Sequence, residues 1–368
     1  MRIVIAKKLL STVGGSEAQA RALALALRDR GHDVRLVGMR PAWRRPGIPS
    51  GPHGDLGARV DGVEYRYLAT PFAALDGLLP TSLVDWHRLA HEFEGADVVH
   101  SIAREWAGPA ERAARSVGAA FVETPLVHPG QRFSGAGRAD RARYARADAI
   151  LALTEWEAGW YRERGAKNVH VTGVGAVIAP LPDLAMDPAT ILFVGRKERY
   201  KGYDALRAAA PLVWRERPDA RFNVIGQRRF RGPAPLVDPR WDEPGVVSEE
   251  AKAAAYARAT IFCMPSEHET FGHTYLEAWC ARRPVIAGDI PPLREVVRDG
   301  VDGLHARNEP AAIARAILEL LGDPALARRM GEAGRARVAE RWTWTGVADR
   351  TEAAYADAIA RDASRAPR

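Results

Sequence analysis

A chain of 368 residues, 47% of them hydrophobic, is too long for one ordinary core and apolar enough to fill two. No run approaches the roughly 18 apolar residues that a membrane-spanning helix needs, and two cysteines, Cys263 and Cys280, cannot build a disulfide framework and read as small buried apolar groups. The net charge of +7 rests on arginine, since only six of the 53 basic residues are lysines; residues 1–176 hold 24 basic and 19 acidic groups and the remainder 29 and 27. So weak an asymmetry, without an aromatic-basic repeat, argues against nucleic acid and fits either a composition bias or a surface that meets phosphates or an anionic membrane.

The opening stretch RIVIA reads as a first strand. It is too short for a secretory core and lacks a small-residue cleavage site, so a cytoplasmic protein is expected. The helix EAQARALALALRDRG and the strand DVRLVG follow, then ADVVHS, AAFVE, DAILAL and VHVTG, with the amphipathic TEWEAGWYRERG among them. After a Pro-rich break at 177–190 come ATILFVG, ARFNVIG, TIFCMP and RPVIAG, with YDALRAAAPLVWRERP as an intervening helix. Near-continuous apolar runs alternating with helical patterns predict parallel sheets covered by helices on both faces. The break is the expected linker, which gives domains at 1–177 and 189–345. WTWTGVADRTEAAYADAIA closes the chain as a terminal helix, here 346–368, with a frayed tail, RDASRAPR. Two loops rich in Gly, Pro and Arg, 40–57 and 128–138, fit ordinary connections or, in the first domain, loops that recognise an acceptor.

Ligands of open parallel sheets bind beyond the carboxyl ends of the strands, so the strand ends are where chemistry is expected. After RIVIA, the pair Gly14-Gly15 precedes a helix starting near Ser16. That suits either a turn capped by Ser16 or a close backbone approach to an anion. The dinucleotide fingerprint G-x-G-x-x-G is absent there, which argues against a nicotinamide or flavin enzyme. After ATILFVG, Arg196 and Lys201 flank a loop ending in Gly202 at a helix start. Two fixed cations in that position suit a diphosphate without a metal ion, while Lys197 and Arg199 fit a solvated charge run. After TIFCMPS, the stretch SEHETFGHTYLEA sets Glu269 just ahead of a helix and Glu277 within two turns of its start. Carboxylates accept hydrogen bonds from sugar hydroxyls; Glu269 also fits a helix-start charge, and Glu277 a surface acid.

Taken together, these pieces resemble the family-4 glycosyltransferases, retaining enzymes of the GT-B fold. The pattern E-x-F-G-x-x-x-x-E-A is carried by Glu269, Phe271, Gly272, Glu277 and Ala278, and FVGRKERYKG resembles the family's phosphate segment. The likeness runs through nearly the whole chain, with departures at Thr172-Gly173 and Pro291-Pro292. It implies two Rossmann-like domains facing each other across a cleft, with the terminal helix crossing back to the first domain. By resemblance Arg196 and Lys201 bind the donor diphosphate, Glu277 the ribose hydroxyls and Glu269 the transferred sugar. Thr270, Phe271 and Gly272 line the donor, Gly15 approaches the diphosphate, and His128 matches the family's active-site histidine or is an ordinary loop histidine.

The expected reaction is retaining transfer of a hexosyl group from a nucleoside-diphosphate sugar, UDP-sugar ahead of GDP-mannose, to an acceptor hydroxyl. No cofactor or metal is expected, the nucleotide sugar being a co-substrate. Domain closure would exclude water. The acceptor is left open among a lipid, a glycan and a small molecule, as is peripheral contact with the inner membrane face. A sugar-nucleotide epimerase of similar fold and a non-catalytic nucleotide-sugar-binding protein are the rival readings.

Overall fold

β1 (Arg2–Leu9) is buried from Ile3 to Lys8, as a strand covered on both faces must be. Its alternate residues serve two cores: Ile3 and Ile5 join one buried cluster, Val4 and Ala6 the other, on opposite faces of one sheet. The computed structural model describes residues 1–10, 14–39, 59–60, 62–68, 84–131, 135–178, 184–229 and 232–365. The loop 40–57, residues 132–134 of the second Gly-rich loop and 179–183 of the expected linker lie outside the described residues. The chain forms two compact units, Met1–Gly175 with Trp344–Arg368, and Ala176–Thr343.

In the first unit β1 is joined by β2 (Asp33–Met39), β3 (Arg59–Val60), β4 (Val63–Tyr67), β5 (Val98–Ile102), β6 (Ala120–Thr124), β7 (Ala149–Ala152) and β8 (Val169–Val171). Their order is β3-β4-β2-β1-β5-β6-β7-β8, parallel except between β3 and β4. Helices α1 (Gly15–Asp29), α2 (Trp86–Phe93), α3 (Ala107–Ser116), α4 (Arg138–Arg146) and α5 (Glu155–Arg162) connect them. Sequence patterning passes over β4, because VEYRY alternates buried with half-buried residues rather than forming an apolar run.

The terminal helix α12 (Trp344–Arg365) belongs to this unit. Val347, Ala348, Ala354, Tyr355 and Ala358 share a core with Ile3, Ile5, Leu23 and Leu27. The Tyr355 hydroxyl lies 2.7 Å from His100 Nδ1, and His100 Nε2 lies 2.8 Å from Thr124 Oγ1. Burial pushes the His100 pKa down to about 3, so the imidazole is neutral. Glu352 accepts from Arg30 at 2.7 Å and Asp357 from Asn168 at 2.6 Å. These ties keep the helix regular through Arg365, into the tail expected to fray.

The second unit has one parallel sheet of β9 (Thr190–Val194), β10 (Arg221–Ile225), β11 (Trp241–Gly245), β12 (Ile261–Met264), β13 (Val285–Gly288) and β14 (Gly303–Ala306). The order is β11-β10-β9-β12-β13-β14. Its helices are α6 (Tyr203–Glu216), α7 (Glu249–Arg258), α8 (His273–Cys280), α9 (Pro291–Val296), α10 (Pro310–Gly322) and α11 (Pro324–Arg341). The edge strands β11 and β14 are further finds of the structure; Pro244 is tolerated in β11 because an edge strand need not donate on both sides. Trp279 stacks on Trp342 at 5.9 Å and donates to the Asp302 carbonyl at 2.8 Å. Cys263 and Cys280 are buried free thiols. Among the described residues no helix is long and apolar enough to cross a membrane.

One helix start in the first unit titrates. Thr154 caps α5 by accepting from Glu157 N at 3.1 Å, and the Glu157 carboxylate accepts from Leu153 N, one residue ahead of the cap, at 2.7 Å and from Tyr161 OH at 2.8 Å, a variant of the capping box. Burial raises the Glu157 pKa to about 7 against the pull of those two donors. A carboxyl whose folded pKa is raised stabilises fully below its unfolded value near 4.5, and that stabilisation is lost as pH rises through 7. Wild type is therefore expected to lose about 3 kcal/mol more than Glu157→Gln between pH 4.5 and 8 in denaturant titrations of the first unit. Parallel pH profiles would contradict this.

Candidate functional site

In the second unit the sheet order reverses at β9, which has β10 on one side and β12 on the other. Strand connections diverge at such a point and leave a crevice beyond the carboxyl ends. The segments that follow β9 and β12 meet there: Glu267 N donates to the Tyr200 carbonyl at 2.7 Å. Gly202 ends the 3-10 turn Arg199–Lys201 with φ 84°, and a Cβ on it would lie 2.6 Å from Pro265 Cγ. Only glycine lets the two segments come this close in this conformation.

Lys201 and Glu269 are joined by an ion pair from Nζ to Oε2, with side chains 14% and 9% exposed. The Tyr200 ring stands beside them. Lys201 Nζ is 5.5 Å from its centroid and the Arg196 guanidinium 5.8 Å, and Arg196 donates to the Tyr200 hydroxyl. The structure thus sets Arg196 and Lys201 against one aromatic ring, with Glu269 joined to them through Lys201.

Lys197 departs from the expected solvated run. It is buried, and its Nζ lies 2.9 Å from Glu243 Oε2. Glu243 also accepts from Tyr203 OH at 2.7 Å and Trp241 Nε1 at 2.6 Å. Burial acts to raise the Glu243 carboxyl, but its donors hold it below its ordinary value. Just past the strand end the backbone still alternates, so Arg196 is exposed and Lys197 turns inward, while Arg199 is exposed on the 3-10 turn that follows.

Glu277 sits in the second turn of α8. Gly272, at φ 86°, caps this helix, and a Cβ there would strike the Tyr275 ring at 2.4 Å. Phe271 packs perpendicular to Trp342 at 5.3 Å, so its side chain belongs to the core. Thr270 is as buried as Glu269. Glu277 is about one third exposed, yet both its oxygens are held from α7: Tyr256 OH donates at 2.8 Å and Lys252 Nζ at 3.1 Å. Burial, reinforced by Glu277, pushes the Tyr256 pKa well up, so its hydroxyl remains a donor. Neither Lys252 nor Tyr256 stands out in the sequence; their four-residue spacing on a helix face is the one available signal.

Gly15 and His128 belong to the first unit. Gly15 is the first residue of α1, after β1. The cap of α1 is Gly14 and not Ser16, which lies inside the first turn and donates to Glu17 at 2.9 Å; Glu17 in turn pairs with Lys7 at 3.2 Å. His128 is half-buried, four residues beyond β6, and its carbonyl accepts from Gln131 N at 3.1 Å.

Two family models match the chain, glycosyl transferase 4-like domain over residues 14–175 and glycosyl transferases group 1 over residues 182–337. The chain belongs to the group 1 glycosyltransferases. Among relatives, the D-inositol 3-phosphate glycosyltransferase of Streptomyces avermitilis is 30% identical over 70% of this chain and 62% of its own. The phosphatidyl-myo-inositol mannosyltransferase of Mycobacterium leprae is 32% identical over 56% and 58%. The D-inositol 3-phosphate glycosyltransferase of Thermobifida fusca, at 28%, covers 94% and 89%. This group 1 chain spans about 60% of the length of the first curated relatives it matches. Its fold is shared by sucrose-phosphate synthase from Thermosynechococcus elongatus (TM-score 0.78, 19% identity, 98% of this chain and 100% of that one). Anabaena HepE, solved with UDP and glucose, matches with TM-score 0.75 and 16% identity over 97% and 100%. Both are GT-B proteins.

The Lys197–Glu243 pair holds the root of the Arg196–Lys201 loop. Removing one partner of a buried pair leaves an uncompensated charge. Lys197→Met is expected to destabilise the second unit by about 3 kcal/mol, and Lys197→Met with Glu243→Gln by clearly less. Chemical denaturation of the three proteins checks this; equal losses in single and double variants would refute it.

Proposed function

We propose that this group 1 glycosyltransferase moves a hexosyl group from a nucleoside-diphosphate sugar to an acceptor hydroxyl, with retention and without a metal ion. UDP-sugars are the first choice of donor and GDP-mannose the second. The observation that carries the reading is the Lys201–Glu269 pair beside Arg196, where the segments after β9 and β12 meet.

The chemistry asks for fixed positive charge where negative charge develops. As the anomeric bond lengthens, charge builds on the leaving diphosphate; Lys201, Arg196 and the unpaired N–H groups opening α8 stabilise it, being oriented beforehand. Glu269 accepts from hydroxyls of the transferred sugar, oriented by its ion pair with Lys201. Glu277, held by Lys252 and Tyr256, accepts from the ribose hydroxyls. The acceptor's proton passes to the leaving phosphate, so no side chain is needed as base. Acceptor recognition falls to the first unit, with Gly15 and His128 as its contributions. Relatives named for inositol phosphate and phosphatidylinositol acceptors support a polyol, free or lipid-linked, as acceptor, and the HepE complexes with UDP support a uridine donor.

Thermal-shift titration with UDP- and GDP-sugars tests donor binding, because a ligand of the folded state raises stability by mass action. Lys201→Ala is expected to abolish the shift given by the preferred donor, and Glu277→Ala to weaken binding about 10- to 100-fold by loss of charged hydrogen bonds. An unaltered shift in Lys201→Ala would refute the diphosphate role. Turnover with polyol acceptors in the presence of EDTA should continue and give a product with the donor's anomeric configuration. An isomerised donor, or binding without turnover, would support the epimerase or the non-catalytic binder.

A further inference from the structure

We propose that His273 is a donor-contacting residue whose Nε2–H donates a hydrogen bond to the diphosphate of the bound nucleotide sugar. The proposal rests on the donor reading above and adds a side chain that the pattern E-x-F-G-x-x-x-x-E-A leaves unspecified at this position.

His273 is the first residue of α8, directly after Gly272. Its Nε2 is buried and meets no hydrogen-bond partner among the described residues. Buried polar atoms are nearly always satisfied, and an exception calls for a missing partner. Tyr275 and Leu276 beside it are fully buried, whereas His273 as a residue keeps part of its surface accessible. The charged groups that act on it are Glu277 on its own helix, Glu269 on the preceding loop, Lys201 on the 3-10 turn and Lys252 on α7. Two carboxylates and two ammonium groups, all assigned above to holding the donor or its holder, therefore act electrostatically on one imidazole with an unused polar atom.

Burial lowers the His273 pKa, outweighing the two carboxylates that would raise it. The free protein thus holds a neutral imidazole, which has one N–H to give. At a helix start the backbone N–H groups already favour an anion, and Lys201 adds a full charge beside them. A phosphoryl oxygen entering there is an acceptor that Nε2–H lacks in the free protein.

Calorimetric titration of UDP and GDP into wild type, His273→Phe, His273→Gln and Lys201→Ala tests the proposal, alongside the melting temperature of each protein without nucleotide. His273→Phe should weaken the preferred diphosphate about tenfold yet leave the ligand-free melting temperature unchanged or higher, because no protein hydrogen bond is lost. His273→Gln, whose amide nitrogen reaches near the Nε2 position, should restore most of the affinity. In wild type, the His273 Nε2 resonance should move on adding UDP and stay put on adding uridine. Undiminished affinity in His273→Phe, with Lys201→Ala defective, overturns the contact and spares the donor site. A lowered ligand-free melting temperature without rescue by Gln, or an unmoved Nε2 resonance, assigns a structural role and overturns it too. Failure of wild type to bind either nucleotide overturns the donor reading itself, and this proposal with it.

Discussion

A lysine and a glutamate, carried by the segments that follow two neighbouring strands, meet in a partly buried ion pair, and the second unit is arranged around that meeting. Taking both charges out of water is costly unless the geometry is good and other bonds complete it. Here the approach is fixed by backbone: Gly202 lies against Pro265, and Glu267 N bonds the Tyr200 carbonyl. In the reaction proposed above, the pair holds a cation and a carboxylate in place before a diphosphate arrives. Such preorganisation lowers the reorganisation needed during reaction, which is where electrostatic catalysis gains most.

Two further networks accompany the pair, each holding a residue or loop of the candidate site. On the β11 side, Glu243 gathers Lys197, Tyr203 and Trp241. On the α7 side, Glu277 is gripped by Lys252 and Tyr256. Both are carboxylates with donors from more than one residue, and burial makes each such bond stronger and each missing one costlier. The first network anchors the loop on which Arg196 and Lys201 ride; the second fixes the rotamer of an acid that would otherwise swing freely at a third exposure.

Most of the sheets could be read from sequence because central parallel strands are continuous apolar runs. The strands that escaped are those that break this rule: VEYRY alternates, WDEPG contains a proline, and GLHA is four residues long with a half-buried histidine. The site shows the same division. Arg196, Lys201, Glu269 and Glu277 stand at strand ends or in a spaced motif, so the sequence could put them forward as candidates. Their holders did not show, because Lys197 finds Glu243 46 residues away and Lys252 finds Glu277 25 residues away. Contacts of that separation are created by the fold, and no local pattern announces them. Ser16 failed for the opposite reason: a good capping residue was present, but the helix begins one residue before it.

The long-range tie between Tyr355 and His100, 255 residues apart, has a consequence for how the molecule is made. The first unit's sheet shares a core with Tyr355, Ala354 and Ala358 of α12, which follow the whole of the second unit in the chain. Domains tend to fold as units during synthesis, so β9 to α11, contiguous in sequence, can close their own core while one face of the first sheet is covered only in part, by α1. That face holds Ile3, Ile5 and Leu36, and a parallel sheet with part of its apolar face uncovered is prone to wrong association. His100 helps set the stopping point: buried and neutral, it needs the Tyr355 hydroxyl on one side and Thr124 on the other, so the helix is specified by a hydrogen bond as well as by its apolar face.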